Sequence, residues 1–209
     1  RGYHGMNIGC ISVGGMINNV KTFASVLMPG VQHMRHTHLP EHKFVSGQPE
    51  TGGDLANDLE RIAINFGPEN IAACIVEPIA GSTGTLVPPK GYLQRLREIC
   101  DKHGILLIFD EVITGWGRTG SSFASIEYGV TPDIMTMAKA TTNGVVPMGV
   151  VACKDEIYDS VMDASPMGSV ELFHGYTYSG IPVAVAAALA VQDIFEKEDI
   201  FNRAKNLAP

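Results

Sequence analysis

Two apolar runs in this chain end in groups that can do chemistry. Ile105-Leu-Leu-Ile-Phe109 stops at Asp110 and Glu111, and Ile134-Met-Thr-Met-Ala138 stops at Lys139. Apolar residues without polar alternation suit a strand buried on both faces, as in a parallel sheet. Open α/β sheets hold their ligands outside the carboxyl ends of the strands, so an acid and an amine would meet at one rim. A lysine in that position is a candidate Schiff-base former. Desolvation or a nearby cation turns such an amine from a protonated group into a nucleophile. The alternative is a solvated lysine at a strand end.

Asp110 faces a similar choice. An acid after a strand can cap a helix, pair with an arginine such as Arg118, or hold a protonated ring nitrogen. A carboxylate fixed near the amine is what a pyridinium nitrogen requires, because the charged ring then accepts electrons from a substrate carbanion.

The elements that must carry these residues follow from periodicity. A short helix is expected at Met16–Phe23, after a stretch to Gly15 with no clear period. Asp54 is a plausible N-cap for a helix to Phe66, with Leu55, Leu59, Ile62 and Phe66 on one face and Gly67 as its stop. Ile71–Val76 reads as a buried strand ending at Glu77-Pro78. Gly91–His103 reads as a helix with Leu93, Leu96, Ile99 and Cys100 inward and Gly104 as its end. Strands at Ile105–Phe109, Ile134–Ala138 and Met148–Ala152, then helices at Asp155–Met162 and Pro182–Phe195, complete the pattern. Pro182 near a first turn costs nothing. Alternation of helix and strand argues for a mostly parallel sheet with right-handed crossovers.

Composition narrows the function classes. A net charge of −7 and a pI near 5.4 disfavour a nucleic-acid surface. No apolar run approaches the roughly 18 residues that span a bilayer, and the first residues carry no signal-peptide pattern. The four cysteines are scattered, with Cys74 and Cys100 in apolar patterns as core residues, which fits a reducing cytoplasm. His33, His36, His38 and His42 share one loop. With no acid or cysteine at ligand spacing and Pro40 among them, a polar surface or substrate-entry loop is preferred to a metal site. The start at Arg1 and the end in mid-pattern suggest a piece of a longer protein.

Asp110-Glu-Val-Ile-Thr-Gly-Trp-Gly-Arg-Thr-Gly120 followed by Thr131-Pro-Asp-Ile-Met-Thr-Met-Ala-Lys139 resembles the signature of class III aminotransferases. These are pyridoxal 5′-phosphate (PLP) enzymes of fold type I. The resemblance covers essentially the whole chain, through Tyr3-His-Gly5, Val76-Glu-Pro78, Gly81-Ser-Thr-Gly84, Pro88-Pro-Lys-Gly-Tyr92, Thr142-Asn-Gly144, Pro147-Met-Gly149 and His174-Gly-Tyr-Thr-Tyr178. Gly30-Val-Gln-His-Met-Arg-His-Thr-His38 and Gly47-Gln-Pro-Glu50 look like those of ω-amino acid:pyruvate (β-alanine–pyruvate) aminotransferases.

The resemblance implies an α/β large domain of the PLP-transferase type, a mostly parallel sheet with helices on both faces. Residues 1–209 would be its central part, with an N-terminal segment and a C-terminal small domain outside them. Lys139 would hold PLP as a Schiff base and later shuttle the proton, and Asp110 would pair with the pyridinium nitrogen. Val112 and Tyr3 would flank the ring, with His4 and Gly5 shaping the turn. Glu77 would lie near the substrate side, or else only cap its strand. Thr177 would bind the cofactor phosphate across the interface of a homodimer, or of a dimer of dimers. The implied reaction is ping-pong transfer of an amino group from an ω-amino acid or amine to pyruvate through pyridoxamine phosphate. A decarboxylating or aminomutase member, or an inactive fragment, is the alternative. A nicotinamide oxidoreductase is disfavoured because no G-x-G-x-x-G follows a strand. Ala140 and Ile181 depart from the usual glycine and histidine of the family, and neither removes a catalytic group.

Overall fold

The computed structural model describes residues 2–167 and 172–207. Its helices are α1 (Ile8–Val13), α2 (Ile17–Thr22), α3 (Asn57–Phe66), α4 (Tyr92–His103), α5 (Ala124–Glu127), α6 (Asp155–Asp163), α7 (Pro182–Lys197) and α8 (Ile200–Leu207). The strands are β1 (Ala73–Val76), β2 (Leu106–Asp110), β3 (Ile134–Met137) and β4 (Val150–Cys153). They form one sheet in the order β1-β2-β3-β4; the first three run parallel and β4 runs antiparallel. Parallel neighbours need crossovers, and α4 supplies the one between β1 and β2.

Helix α4 shows why the sequence folds this way. Gly91 and Gly104 bracket it in left-handed conformation, with φ of 75° and 67°, and the Gly104 N–H closes on the Cys100 carbonyl. Leu93, Leu96, Ile99 and Cys100 recur at helical spacing and are buried. They meet Leu59 and Ala63 of α3 and Leu107 and Phe109 of β2 in one core cluster. Burial of such a side chain contributes roughly 1.5–3 kcal/mol.

Three expectations need correction. Asp54 does not cap α3: a 3-10 turn, Gly53–Ala56, precedes the helix, and no side chain caps its first turn. Phe66 stays beside Leu59 and Ile62 but is half exposed, because it borders a cavity and not the core. Strand β2 is fully buried on one face only. Leu107 and Phe109 lie under α3 and α4, whereas Leu106 and Ile108 on the opposite face are half buried. Asp110 shares that second parity.

Candidate active site

The parallel strands bring the ends that carry Glu77, Asp110 and Lys139 to one rim. Asp110 is in register with Thr136, so the end of β2 lies beside the end of β3, and Glu77 follows β1 on the other side. The Tyr3-His4 segment fastens across two of these ends. Glu77 Oε1 accepts the Tyr3 N–H at 2.8 Å and Oε2 accepts the Gly81 N–H at 2.8 Å. His4 Nδ1 donates to Asp110 Oδ2 at 2.8 Å, with both side chains nearly excluded from solvent at 5% and 7% exposure. A Cβ on Gly2 would stand 2.6 Å from His4 Nε2, so a side chain there would displace the imidazole that Asp110 holds. Val112 contributes its backbone, donating from N–H to Asp110 Oδ1 at 3.0 Å.

Asp110 pairs with His4, not with Arg118, and no lysine or arginine forms an ion pair with it among the described residues. A carboxylate offers about four acceptor sites. Two are used here, so the group can still take a cationic donor. That donor set fits a pyridinium nitrogen.

Glu111, which composition alone did not single out, proves to be the anchor beneath the site. It is fully buried. Its carboxylate accepts from Thr114 Oγ1 at 2.6 Å, Ala124 N–H at 2.9 Å and Ser125 N–H at 2.7 Å. Its own N–H extends the ladder to the Thr136 carbonyl at 2.9 Å. The acid at 111 therefore folds the loop that carries Val112 and Trp116, while the acid at 110 faces the rim. Thr114, at a spacing of three, was the available signal.

Lys139 lies just beyond β3, exposed, with φ at 46°. That left-handed conformation costs an ordinary L-residue roughly 1–2 kcal/mol. Thr141 Oγ1 donates to the Ala138 carbonyl at 3.0 Å, and Gly144 N–H donates to the Lys139 carbonyl at 3.1 Å. The peptide groups on either side of Lys139 are thus fixed.

Thr177 is not joined to this group. It sits in an exposed loop between Leu172 and Ile181, where Tyr176 N–H donates to Ser179 Oγ at 2.9 Å. A cavity of about 850 Å³ borders the rim at His4 and Glu77 and runs along the free edge of β1 past Leu59, Ile62 and Phe66. Asp110 and Lys139 do not line it. In the histidine loop, His42 is buried, its ring nitrogens 3.0 Å from the Thr37 carbonyl and 3.3 Å from Thr51 Oγ1. His42 thus holds that loop together.

The profile of the family described as "Aminotransferase class-III" matches residues 1–208. Over 99% of its length the chain is 57% identical to an omega-aminotransferase of Caulobacter vibrioides, and it covers 47% of that protein. It is 52% identical to a beta-alanine–pyruvate aminotransferase of Pseudomonas aeruginosa, of which it also covers 47%. An (S)-enantioselective omega-transaminase from Thermomicrobium roseum superposes with a TM-score of 0.86 at 40% identity, over 96% of this chain and 44% of that one. The chain therefore spans about half the length of the relatives it matches. With this rim, this register and matches along its whole length, the chain belongs to the class-III aminotransferase family.

Proposed function

We propose that this chain is the central part of the cofactor-binding large domain of a PLP-dependent transaminase. The enzyme passes an amino group from an ω-amino acid or amine to pyruvate by a ping-pong route. The names of the relatives support the reaction class and the acceptor. One observation carries the reading: Asp110 is a buried carboxylate with acceptor capacity to spare, at the end of β2 beside the strand that leads into Lys139. When bound, PLP supplies an aldehyde for amine exchange and a ring that accepts the electron pair left by proton removal.

The residues of the chain then have separable tasks. Asp110 would hold a positive charge on the ring nitrogen, and His4 orients the carboxylate through Oδ2. Lys139 would hold the cofactor through Nζ, and its free amine would carry the substrate proton. Val112 and Tyr3 would flank the ring. Glu77 sets the Tyr3 backbone against the turn at Gly81. Thr177 is lent to the phosphate site of a partner subunit in a homodimer, in keeping with its place on an exposed loop. The enzyme works in the cytoplasm, with its four cysteines as free thiols.

The test is Lys139→Ala in the whole enzyme, with turnover of an ω-amino acid and pyruvate as the readout. Turnover falls by about 10³-fold, within the range attributed to a positioned proton carrier; turnover near wild type sinks the assignment. Incubation with donor alone distinguishes the reaction within the family by its product: a transaminase releases the aldehyde or keto acid with any carboxylate retained, a decarboxylating enzyme releases carbon dioxide, and an aminomutase returns an isomer of the donor.

A further inference from the structure

We propose that Trp116 and Thr141 act as a positioning clamp that holds Lys139 in its left-handed backbone conformation. The inference rests on the reading of Lys139 as the reactive amine and adds two residues to it.

The geometry is a directed relay of hydrogen bonds. The Trp116 indole Nε1–H donates to Thr141 Oγ1 at 3.0 Å, and the Thr141 hydroxyl donates onward to the Ala138 carbonyl at 3.0 Å. An indole only donates and a hydroxyl does both, so each group is used in the sense its chemistry allows. The relay ends on the peptide bond that joins Ala138 to Lys139. A residue at φ 46° persists only where its surroundings over-determine it. Here the bond from Gly144 N–H to the Lys139 carbonyl fixes the far side, and on the near side the Ala138 carbonyl accepts both the Thr141 N–H at 3.0 Å and the hydroxyl that Trp116 orients.

Trp116 is itself held firmly. Its backbone N–H donates to the Ser122 carbonyl at 2.6 Å, its ring meets Phe123 at 4.9 Å, and Phe195 of α7 lies 6.2 Å away. Phe201 of α8 closes over the next residue, Gly117, where a Cβ would stand 2.8 Å from its ring. The same loop is pinned at its far end by Glu111 through Ala124 and Ser125. The clamp therefore ties the turn carrying Lys139 to the loop that begins at Asp110.

The experiment compares Trp116→Phe, Thr141→Val and Thr141→Ser in the whole enzyme. The first keeps an aromatic ring, the second keeps the shape of threonine, and the third keeps the hydroxyl. On cofactor-free protein, Lys139 is labelled with trinitrobenzenesulfonate and its rate read from the peptide mass. Trp116→Phe and Thr141→Val change that rate by about 3- to 10-fold, the range for one neutral hydrogen bond, and Thr141→Ser restores it. In the loaded enzyme the same two variants lower kcat and leave KM for pyruvate unchanged. Labelling rates and kcat at wild-type values in both variants overturn the clamp, as does a Thr141→Ser variant that behaves like Thr141→Val. Because labelling is read without cofactor or turnover, it judges the clamp even if Lys139→Ala stays active and the transaminase reading fails. Trp116 is the one tryptophan of these 209 residues, and its indole N–H cross-peak in a ¹H–¹⁵N spectrum, assigned by its loss in Trp116→Phe, reports the bond directly. It moves in Thr141→Val and stays in place in Thr141→Ser; a cross-peak unmoved in Thr141→Val also overturns the proposal.

Discussion

Asp110 and Asp133 are both buried acids on the sheet, at opposite ends of it, and their surroundings differ in one decisive way. Asp133 precedes β3 and is saturated by cations. Its Oδ2 accepts from Leu107 N–H and Arg97 at 2.7 Å each, and its Oδ1 meets the Lys154 ammonium at 2.7 Å. Among the described residues, Asp110 ends β2 and receives only an imidazole and one backbone N–H. The first knot joins β2, β3, α4 and the end of β4, with a cation already on each carboxylate oxygen. The second keeps a carboxylate with open acceptor sites. The same residue type ties the sheet together where cations face both its oxygens, and keeps acceptor capacity for a ligand where they do not.

That contrast can be tested from both sides. The largest effect is expected at the open end: Asp110→Asn in the whole enzyme lowers turnover by about 10²- to 10³-fold, the scale of losing one member of a buried charge pair. The thermal midpoint shifts little. A wild-type kcat in that variant breaks the comparison. At the closed end, Asp133→Asn lowers unfolding free energy by about 3 kcal/mol in urea titrations while the remaining folded enzyme keeps its kcat. His4→Gln follows, with turnover down by about 10-fold for one weakened charge-assisted hydrogen bond, measured at saturating donor.

The smallest effect concerns pH. Burial alone would raise the Asp133 carboxyl, but the Lys154 ammonium, the Leu107 N–H and Arg97 outweigh it and hold it below the usual carboxylate range. A depressed folded value means that the unfolded chain binds the extra proton first. The stability from Asp133 is therefore complete above the unfolded pKa of about 3.9 and is lost as pH falls through the folded value. Asp58, lowered by its hydrogen bonds to Arg35 against the opposing effect of burial, adds to the same acid limb. Urea midpoints measured downward from about pH 5 fall for wild type and fall less steeply for Asp133→Asn. Equal slopes would mean that the knot is not a charged one.

Much of the frame was legible in the sequence because it rests on local pattern. The spacing of Leu93, Leu96, Ile99 and Cys100 and the bracketing glycines gave α4, and the apolar runs before Asp110 and Lys139 gave β2 and β3. Short elements were harder. Helix α1 depends on Asn7, whose side chain accepts the Cys10 N–H, a single contact with no period behind it. Helix α8 packs through the contact of Phe201 with Phe195, which needs α7 in place first. At the rim, the strand ends that carry Asp110 and Lys139 were legible, but the partner of Asp110 was not. Arg118 is near in sequence, whereas His4 is near only in space. The role of Glu111 was hidden for the same reason, since its donors at Ala124 and Ser125 are backbone groups that no motif advertises.

The bond from His4 to Asp110 joins residues 106 apart, and that from Tyr3 to Glu77 joins residues 74 apart. Contacts of such separation form late, after the loop between them has been ordered. During synthesis at roughly 5–20 residues per second, Tyr3 and His4 wait roughly 5–20 s for Asp110 to be made. The rim is thus finished after the strands beneath it, and a nascent chain passes through a stage with its sheet begun and its imidazole still unmoored. A pulse of protease during translation would find the segment around Gly5 cuttable until β2 has emerged, and shielded afterwards.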